Sequence, residues 1–305
     1  MADRTSILII TYNRQQDLLE LLESLATQSD LSLLEEVLIL NNASTETYQE
    51  VEYFCAQHPE LKINYSVSPE NLGVSRGRNK LMQEAKGCHL LVLDDDIILS
   101  SPTDFARMAS VFSEEYYKEQ NTGIVTFKVL YHENGQQQIT AFPHKKYNEM
   151  KNLNRFLTYY YTGCCHILKK AALEKTGYYP TDFFYGMEEY DLAYRFIQQG
   201  YTLAYDDRVE VLHKESPKGR QANHLKLASQ WVNKSKVAWR YLPKRYFVST
   251  ALMWSVEYIR KIKGNGFYWI KCWKRIFQIP GQNKRTPLDK KALTYLRSVE
   301  ARLWY

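Results

Sequence analysis

The chain predicts an α/β fold, with a doubly wound, mostly parallel sheet over residues 1–215 and a helical extension over 216–305. Three observations carry this reading. Apolar runs of strand length alternate with stretches of helical periodicity, which implies right-handed crossovers between parallel strands. The runs are continuously apolar, the pattern of strands buried on both faces. Charge also changes sign along the chain: Lys214–Tyr305 holds 21 Lys and Arg against 4 Asp and Glu, a net +17, which leaves −11 on residues 1–213. An acidic body with a basic, aromatic tail suggests two jobs in one chain.

Taken in order, Ser6–Ile10 is the first buried strand. Leu18, Leu19, Leu22 and Leu25 then recur at helical spacing, with Asp17 and Glu20 near the helix start. Val37–Leu40 is a second strand, ending in the polar loop Asn41-Asn42-Ala43-Ser44-Thr45. Ile63–Val67 is a third, and a helix from about Ser75 to Ala85 leads to the fourth, Leu90–Leu93. Phe105–Tyr117 reads as a helix and Thr122–Leu130 as a strand, whereas His132–Asn154 is polar and shows no periodicity. Gly163–Leu168 reads as a short strand before a helix, Lys169–Lys175, ended by Gly177. A further helix starts at Glu188 and stops at Gly200, and two short strands follow, Thr202–Tyr205 and Val209–Leu212.

In sheets of this kind ligands bind at the carboxyl ends of the strands. Thr11-Tyr12-Asn13, Asn41-Asn42 and Asp94-Asp95-Asp96 all fall there, so one crevice collects them. Three consecutive acids at a buried strand end are costly without a partner, and hard oxygen ligands suit Mg²⁺ or Mn²⁺ serving a phosphate. A solvated loop is the plain alternative for such a triplet taken alone. Asn71-Leu72-Gly73 through Gly77-Arg78-Asn79 brings two glycines and two arginines to a helix start. It contacts either a phosphate or nearby acids such as the triplet, and it lacks P-loop spacing. Glu188, Glu189 and Asp191 stand at the start of the later helix among aromatics, a setting in which a carboxylate can act as a general base. Asp191 and Arg195 also have the spacing of an ion pair on one helix face, a purely structural role. His213 ends the last strand near the same acids.

Together these segments resemble the inverting family-2 glycosyltransferases of the GT-A fold. The likeness is carried by Ile9–Arg14, Asn42–Thr45, Asn71–Asn79, Leu93–Asp96, Gly163, Glu188–Leu192 and His213, and covers roughly residues 5–215. It implies that Thr11, Tyr12, Asn13, Arg14, Asn41, Asn42, Arg78, Asp94 and Asp95 bind the nucleotide-diphosphate sugar donor, with Asn41 near the base. It implies a Mn²⁺ or Mg²⁺ ion at Asp96, the end of a DxD motif, with His213 as a second ligand. Glu189 falls at the catalytic base, and Gly163, Glu188 and Asp191 at the acceptor site. Two departures from the common pattern stand out: Glu188-Glu189 replaces Glu-Asp, and Asn41 replaces the usual acid before Asn-Ala-Ser. The implied activity is transfer of a hexosyl or related sugar to an acceptor hydroxyl in cell-surface polysaccharide or lipid-linked glycan synthesis.

In the tail, Phe267–Phe277 read as a helix sets Lys271, Lys274, Arg275 and Gln278 opposite Trp269, Ile270, Trp273, Ile276 and Phe277. That pattern suits an anionic membrane interface, with a helical cap or a dimer contact as the alternative. No nucleic-acid motif accompanies the charge. Five cysteines without zinc-ligand spacing, no N-terminal signal pattern and no stretch of spanning length give the expectation of a cytoplasmic chain, peripheral on the inner face of the membrane. Two rival readings are a sugar nucleotidyltransferase and a non-catalytic glycan-binding subunit. The first needs a glycine-rich phosphate loop after the first strand, which Thr11-Tyr12-Asn13 does not supply; the intact acids speak against the second.

Overall fold

The computed structural model describes residues 3–216, 218, 222–262 and 266–304; residues 217, 219–221, 263–265 and 305 of the basic extension lie outside the described residues. The first half follows the expected alternation. It runs β1 (Thr5–Thr11), α1 (Gln15–Ala26), β2 (Leu34–Asn41), α2 (Gln49–Gln57), β3 (Ile63–Val67), α3 (Gly73–Glu84) and β4 (His89–Asp94). After β4 come β5 (Ile97–Leu99), α4 (Asp104–Ser110), α5 (Glu115–Glu119), β6 (Thr122–Tyr131), α6 (Tyr147–Met150) and β7 (Arg155–Thr158). Then follow β8 (Cys165–Lys169), α7 (Lys170–Thr176), α8 (Glu188–Gln198) and β9 (Thr202–His213). The chain closes with α9 (Asn223–Tyr241), α10 (Lys244–Lys261), α11 (Gly266–Gln282) and α12 (Lys290–Ser298).

The sheet order is β3-β2-β1-β4-β8-β6-β9-β5, with β7 also paired to β9. β3, β2, β1 and β4 are parallel, β8 is antiparallel to both β4 and β6, and β9 is parallel to β6. Apolar residues on alternate positions of β1 explain the two layers. Ile7 and Ile9 belong to a core with α1 and α4, and Leu8 to a core with α3, α7 and α8.

Several elements differ from expectation. The helix over Phe105–Tyr117 is broken by a 3₁₀ turn at Val111–Ser113, where the Ser110 and Ser113 hydroxyls donate to carbonyls three residues back. The two last strands are one strand, β9, whose pairing with β6 jumps from Phe127–Asp206 to Lys128–Glu210. Buried Asp206 makes that bulge by accepting from the Arg208 backbone N–H at 3.0 Å and from the Tyr117 hydroxyl. Strands β5 and β7, three and four residues long, and helices α2 and α6 carry no periodicity that marks them in the chain.

The C-terminal helices are built into the second core. Val237, Ala238 and Tyr241 of α9 and Ala292 and Leu296 of α12 share a cluster with Phe196 and Leu203. Tyr295 ties α12 down: its hydroxyl donates to the Thr158 carbonyl at 2.7 Å and accepts from the Leu203 N–H at 3.2 Å. α9, α10 and α11 add a third cluster around Trp231, whose indole N–H donates to the Ala251 carbonyl. Leu296 is fully buried, so Leu296→Ala is expected to cost about 2–5 kcal/mol, as buried leucine truncations do. Urea unfolding followed by both tryptophan fluorescence and far-ultraviolet dichroism should shift in one coincident transition; loss of the C-terminal helices alone would show the two regions to be uncoupled.

Candidate active site

Strand direction gathers the site. β1, β2, β4 and β9 point the same way while β8 points back, so four strand ends and the start of β8 lie on one edge of the sheet. Thr11–Arg14, Asn41-Asn42, Asp94–Asp96, Gly163 and His213 all occupy that edge. β5 then folds back on β9 with Ile97 opposite His213, which sets Asp96 beside His213. Gly186 and Met187, both with positive φ, turn the chain so that α8 begins at the same edge with its acids in the first turn.

One carboxylate or imidazole atom from each of Asp94, Asp96 and His213 lies within 4.8 Å of the others. His213 Nε2 is 3.2 Å from Asp96 Oδ1, and Asp96 Oδ2 accepts from Arg14 at 3.2 Å and from the Ser216 backbone N–H at 3.0 Å. The Gln138 side-chain oxygen, 2.9 Å from Nδ1, fixes the ring and aims Nε2 at the carboxylate. Burial raises the Asp96 pKa, but His213 and Arg14 outweigh it and hold the carboxyl below its ordinary value. Burial pulls the imidazole down, yet Cys164 and Asp96 together raise it to about 11. Two carboxylates and an imidazole at this spacing are a donor set that suits Mn²⁺ or Mg²⁺, with the imidazole proton leaving when a cation binds. Asp95 points elsewhere: it accepts from Arg14 at 2.8 Å, and Arg14 is pinned further by the Ser216 and Lys218 carbonyls.

Arg78 joins this cluster to the start of α8. The residue is 4% exposed, and one guanidinium nitrogen donates at 2.8 Å to both Asp94 Oδ1 and the Gly163 carbonyl. The other donates to Glu189 Oε1 at 3.3 Å. Gly163 is required by this arrangement, since a Cβ there would sit 2.3 Å from Glu189 Oε1. Burial raises the Glu189 carboxyl, and Arg78 opposes the rise. Burial and the Glu189 charge push Glu188 up to about 8, and its Oε2 has no hydrogen-bond partner among the described residues.

Two adjoining cavities open here. Tyr12, Arg14, Asn42, Asn71, Asp96 and Phe184 help to line the first; Gln138, Tyr160, Gly163, Glu188, Glu189 and Gln230 help to line the second. Val74, Arg78, Asp94, Tyr185, His213 and Lys226 form the wall common to both. Thr11 lines the first cavity with its hydroxyl 2.7 Å from that of Tyr48, and Asp95 lines it as well. Asn13 and Asn41 line neither. The Asn13 side-chain Oδ1 accepts from the Thr45 N–H, and the Asn41 side chain donates to Tyr65 and accepts from the Ser44 N–H. Both amides shape the loop after β2 instead.

Asp191, expected at the acceptor site, is also outside both cavities: it is buried against Arg195, Arg240 and the Tyr241 hydroxyl. The first of these is the ion pair its spacing allows. Lys226 and Gln230 were invisible in the sequence, because nothing in α9 marks a residue that reaches a site built from strand ends. The aromatic run Phe183-Phe184-Tyr185 was the available signal for Phe184 and Tyr185.

Residues 6–177 match the profile of Glycosyl transferase family 2. An uncharacterised protein of Haemophilus influenzae is 27% identical over 177 residues, 57% of this chain and 92% of that protein. The uncharacterised glycosyltransferase YwdF of Bacillus subtilis is 28% identical over 180 residues, 59% of this chain and 63% of YwdF. In three dimensions the chain is similar to the mannosyltransferase PcManGT of Pyrobaculum calidifontis, solved with GDP-Man and Mn²⁺. That likeness has a TM-score of 0.60 at 16% identity, over 97% of this chain and 79% of that one, and is one of fold. With more than half its length matching the family profile on a GT-A fold, the chain belongs to glycosyl transferase family 2.

Proposed function

We propose that this glycosyltransferase inverts the anomeric centre as it moves a sugar from a nucleotide diphosphate to a glycan or lipid-linked acceptor hydroxyl, at the inner face of a membrane. The observation that supports this most is the Arg78 fork, which joins Asp94, on the wall common to both cavities, to Glu189 in the second. In this reading the first cavity takes the donor. Tyr12, Arg14, Asn42 and Asp95 line its nucleotide end, and Asp94 faces the ribose or sugar. Asp96 and His213 would hold Mn²⁺ or Mg²⁺, as PcManGT's Mn²⁺ suggests, and the cation would supply positive charge beside the departing diphosphate.

The second cavity takes the acceptor. Its lining of tyrosine, glutamine, threonine and carboxyl groups offers hydroxyl-bonding and ring-stacking partners, which suits a sugar better than an acyl chain. Glu189 takes the proton of the acceptor hydroxyl as that oxygen bonds to the anomeric carbon. The bond from carbon to diphosphate oxygen breaks with its electron pair going to the diphosphate. Attack comes from the face opposite the leaving group, so the centre inverts. Arg78 orients the base and stabilises its charged form before transfer. Glu188, neutral near pH 7 with a raised pKa of about 8, donates a hydrogen bond to an acceptor hydroxyl from its otherwise unpaired Oε2.

Three outcomes test this. A panel of nucleotide sugars, assayed for Mn²⁺-dependent release of nucleoside diphosphate with acceptor present, should find a donor whose turnover drops about 10²–10⁴-fold in Glu189→Gln, the usual worth of a general base. Retention of full transferase activity by that variant would remove Glu189 from the reaction. The pH profile carries a second signature. Glu189 works deprotonated and its pKa is raised, so kcat/KM should climb with pH through a midpoint above the ordinary carboxylate value of roughly 4.3. Glu188→Gln preserves a neutral donor and should keep most activity near pH 7, while Glu188→Ala loses about tenfold, the worth of a hydrogen bond to a buried group. Equal losses in the two Glu188 variants would contradict the donor role.

A further inference from the structure

Helix α10 shows solvent a more apolar face than the one it buries. Between Tyr246 and Ile259 its exposed positions are Val248, Leu252, Met253, Val256 and Ile259, all apolar, while Tyr246, Thr250, Ala251, Ser255 and Tyr258 are buried. Val248, Leu252, Val256 and Ile259 follow helical spacing and form one stripe. Helix α11 extends the surface with Phe267, Ile270 and Phe277, the last 76% exposed. The apolar face read from the α11 sequence is therefore divided. Trp269 and Trp273 turn inward and donate to the Ser255 hydroxyl, and Ile276 is buried, leaving Ile270 and Phe277 outside. The α10 stripe, four exposed apolar side chains at helical spacing, is the kind of surface that marks an interaction site.

Its rim is basic. From Lys244 to Arg285 the sequence has ten Lys and Arg and one acid, Glu257. Lys244 and Arg245 lie exposed at one end of α10 and Arg260 and Lys261 at the other, with Lys271, Lys274 and Arg275 exposed on α11. We propose that the α10–α11 face seats in the headgroup layer of an anionic membrane, its apolar stripe at the acyl boundary and its cations on the lipid phosphates. A second copy is the poorer partner, because a two-fold contact would bring this basic rim against itself. Among the described residues no helix is long and apolar enough to cross a membrane, so the seat is on the surface.

This seat stands apart from the transfer reaction, but it places the reaction. Helix α9 packs on α10 and α11 through Leu227, Ala228 and Trp231, and from the same helix Lys226 and Gln230 line the second cavity. The acceptor cavity is thus one helix away from the lipid surface.

Flotation of the full chain with phosphatidylcholine vesicles, with and without phosphatidylglycerol, tests the proposal. The chain should float with the anionic vesicles and not with the neutral ones. The double variant Leu252→Asp, Val256→Asp and the triple variant Lys271→Glu, Lys274→Glu, Arg275→Glu should each lower the bound fraction about tenfold or more. Thermal unfolding and nucleoside diphosphate release in vesicle-free solution should match the wild type in both. The proposal is overturned if the wild-type chain stays unbound, or if both variants float as well as it does. It is equally overturned if sedimentation equilibrium shows a dimer that the double variant disperses while vesicles remain unbound.

Discussion

The buried guanidinium of Arg78 is the contact on which the rest of the site depends. Asp94, Asp95, Asp96, Glu188 and Glu189 crowd one edge of the sheet, and like charges at that density cannot all stay ionised without cations among them. The protein supplies Arg14 against Asp95 and Asp96, His213 against Asp96, and Arg78 against Asp94 and Glu189. Removing a partner from a buried pair of this type costs about 3–5 kcal/mol, because an uncompensated charge is left behind. Burial raises Glu189 as well, but two other acids hold their protons most readily. Burial pushes Asp95 up to about 7 against the pull of Arg14, and Glu188 goes to about 8. Asp96, held below its ordinary value, faces the first cavity beside the His213 imidazole and within reach of Asp94, an electrostatic setting ready for a divalent cation and a diphosphate.

Arg78 can do this only because of topology. It sits in the second turn of α3, the crossover into β4, and reaches β4's end, the turn before β8 and the first turn of α8. Reversing β8 relative to β4 brings Gly163 to the edge where β4 ends, and the bare backbone there gives the Glu189 carboxylate its space. One residue type at one position thus links sheet direction to the placement of a candidate base.

Much of this was legible in the chain. The apolar runs before Thr11, Asn41 and Asp94 named three strand ends, and parallel connectivity brought them together. The cluster of acids at the start of α8 signalled a site because acids, aromatics and a glycine coincide there. What the sequence hid has particular causes. Ile97–Leu99 is too short for periodicity to mark, yet its pairing with β9 is what sets Asp96 against His213. Asp191 has the residue type of a site acid but lies on the helix face turned toward Arg195 and Arg240. Asn13 and Asn41 sit in the expected loops, but their amides close local turns. Lys226 and Gln230 come from a helix whose docking depends on Val237, Ala238 and Tyr241 packing into a core formed mainly by distant residues. Tertiary packing of that kind leaves no local mark.

The central claim is that Asp96 and His213 together hold the cation that serves the donor diphosphate. Electron paramagnetic resonance of Mn²⁺ titrated into the full chain with a nucleoside diphosphate measures it directly. One tightly bound Mn²⁺ per chain is expected, with nitrogen coupling from an imidazole that disappears in His213→Ala and binding that is lost in Asp96→Asn. A bound Mn²⁺ whose spectrum is the same in the wild type and both variants would contradict the account.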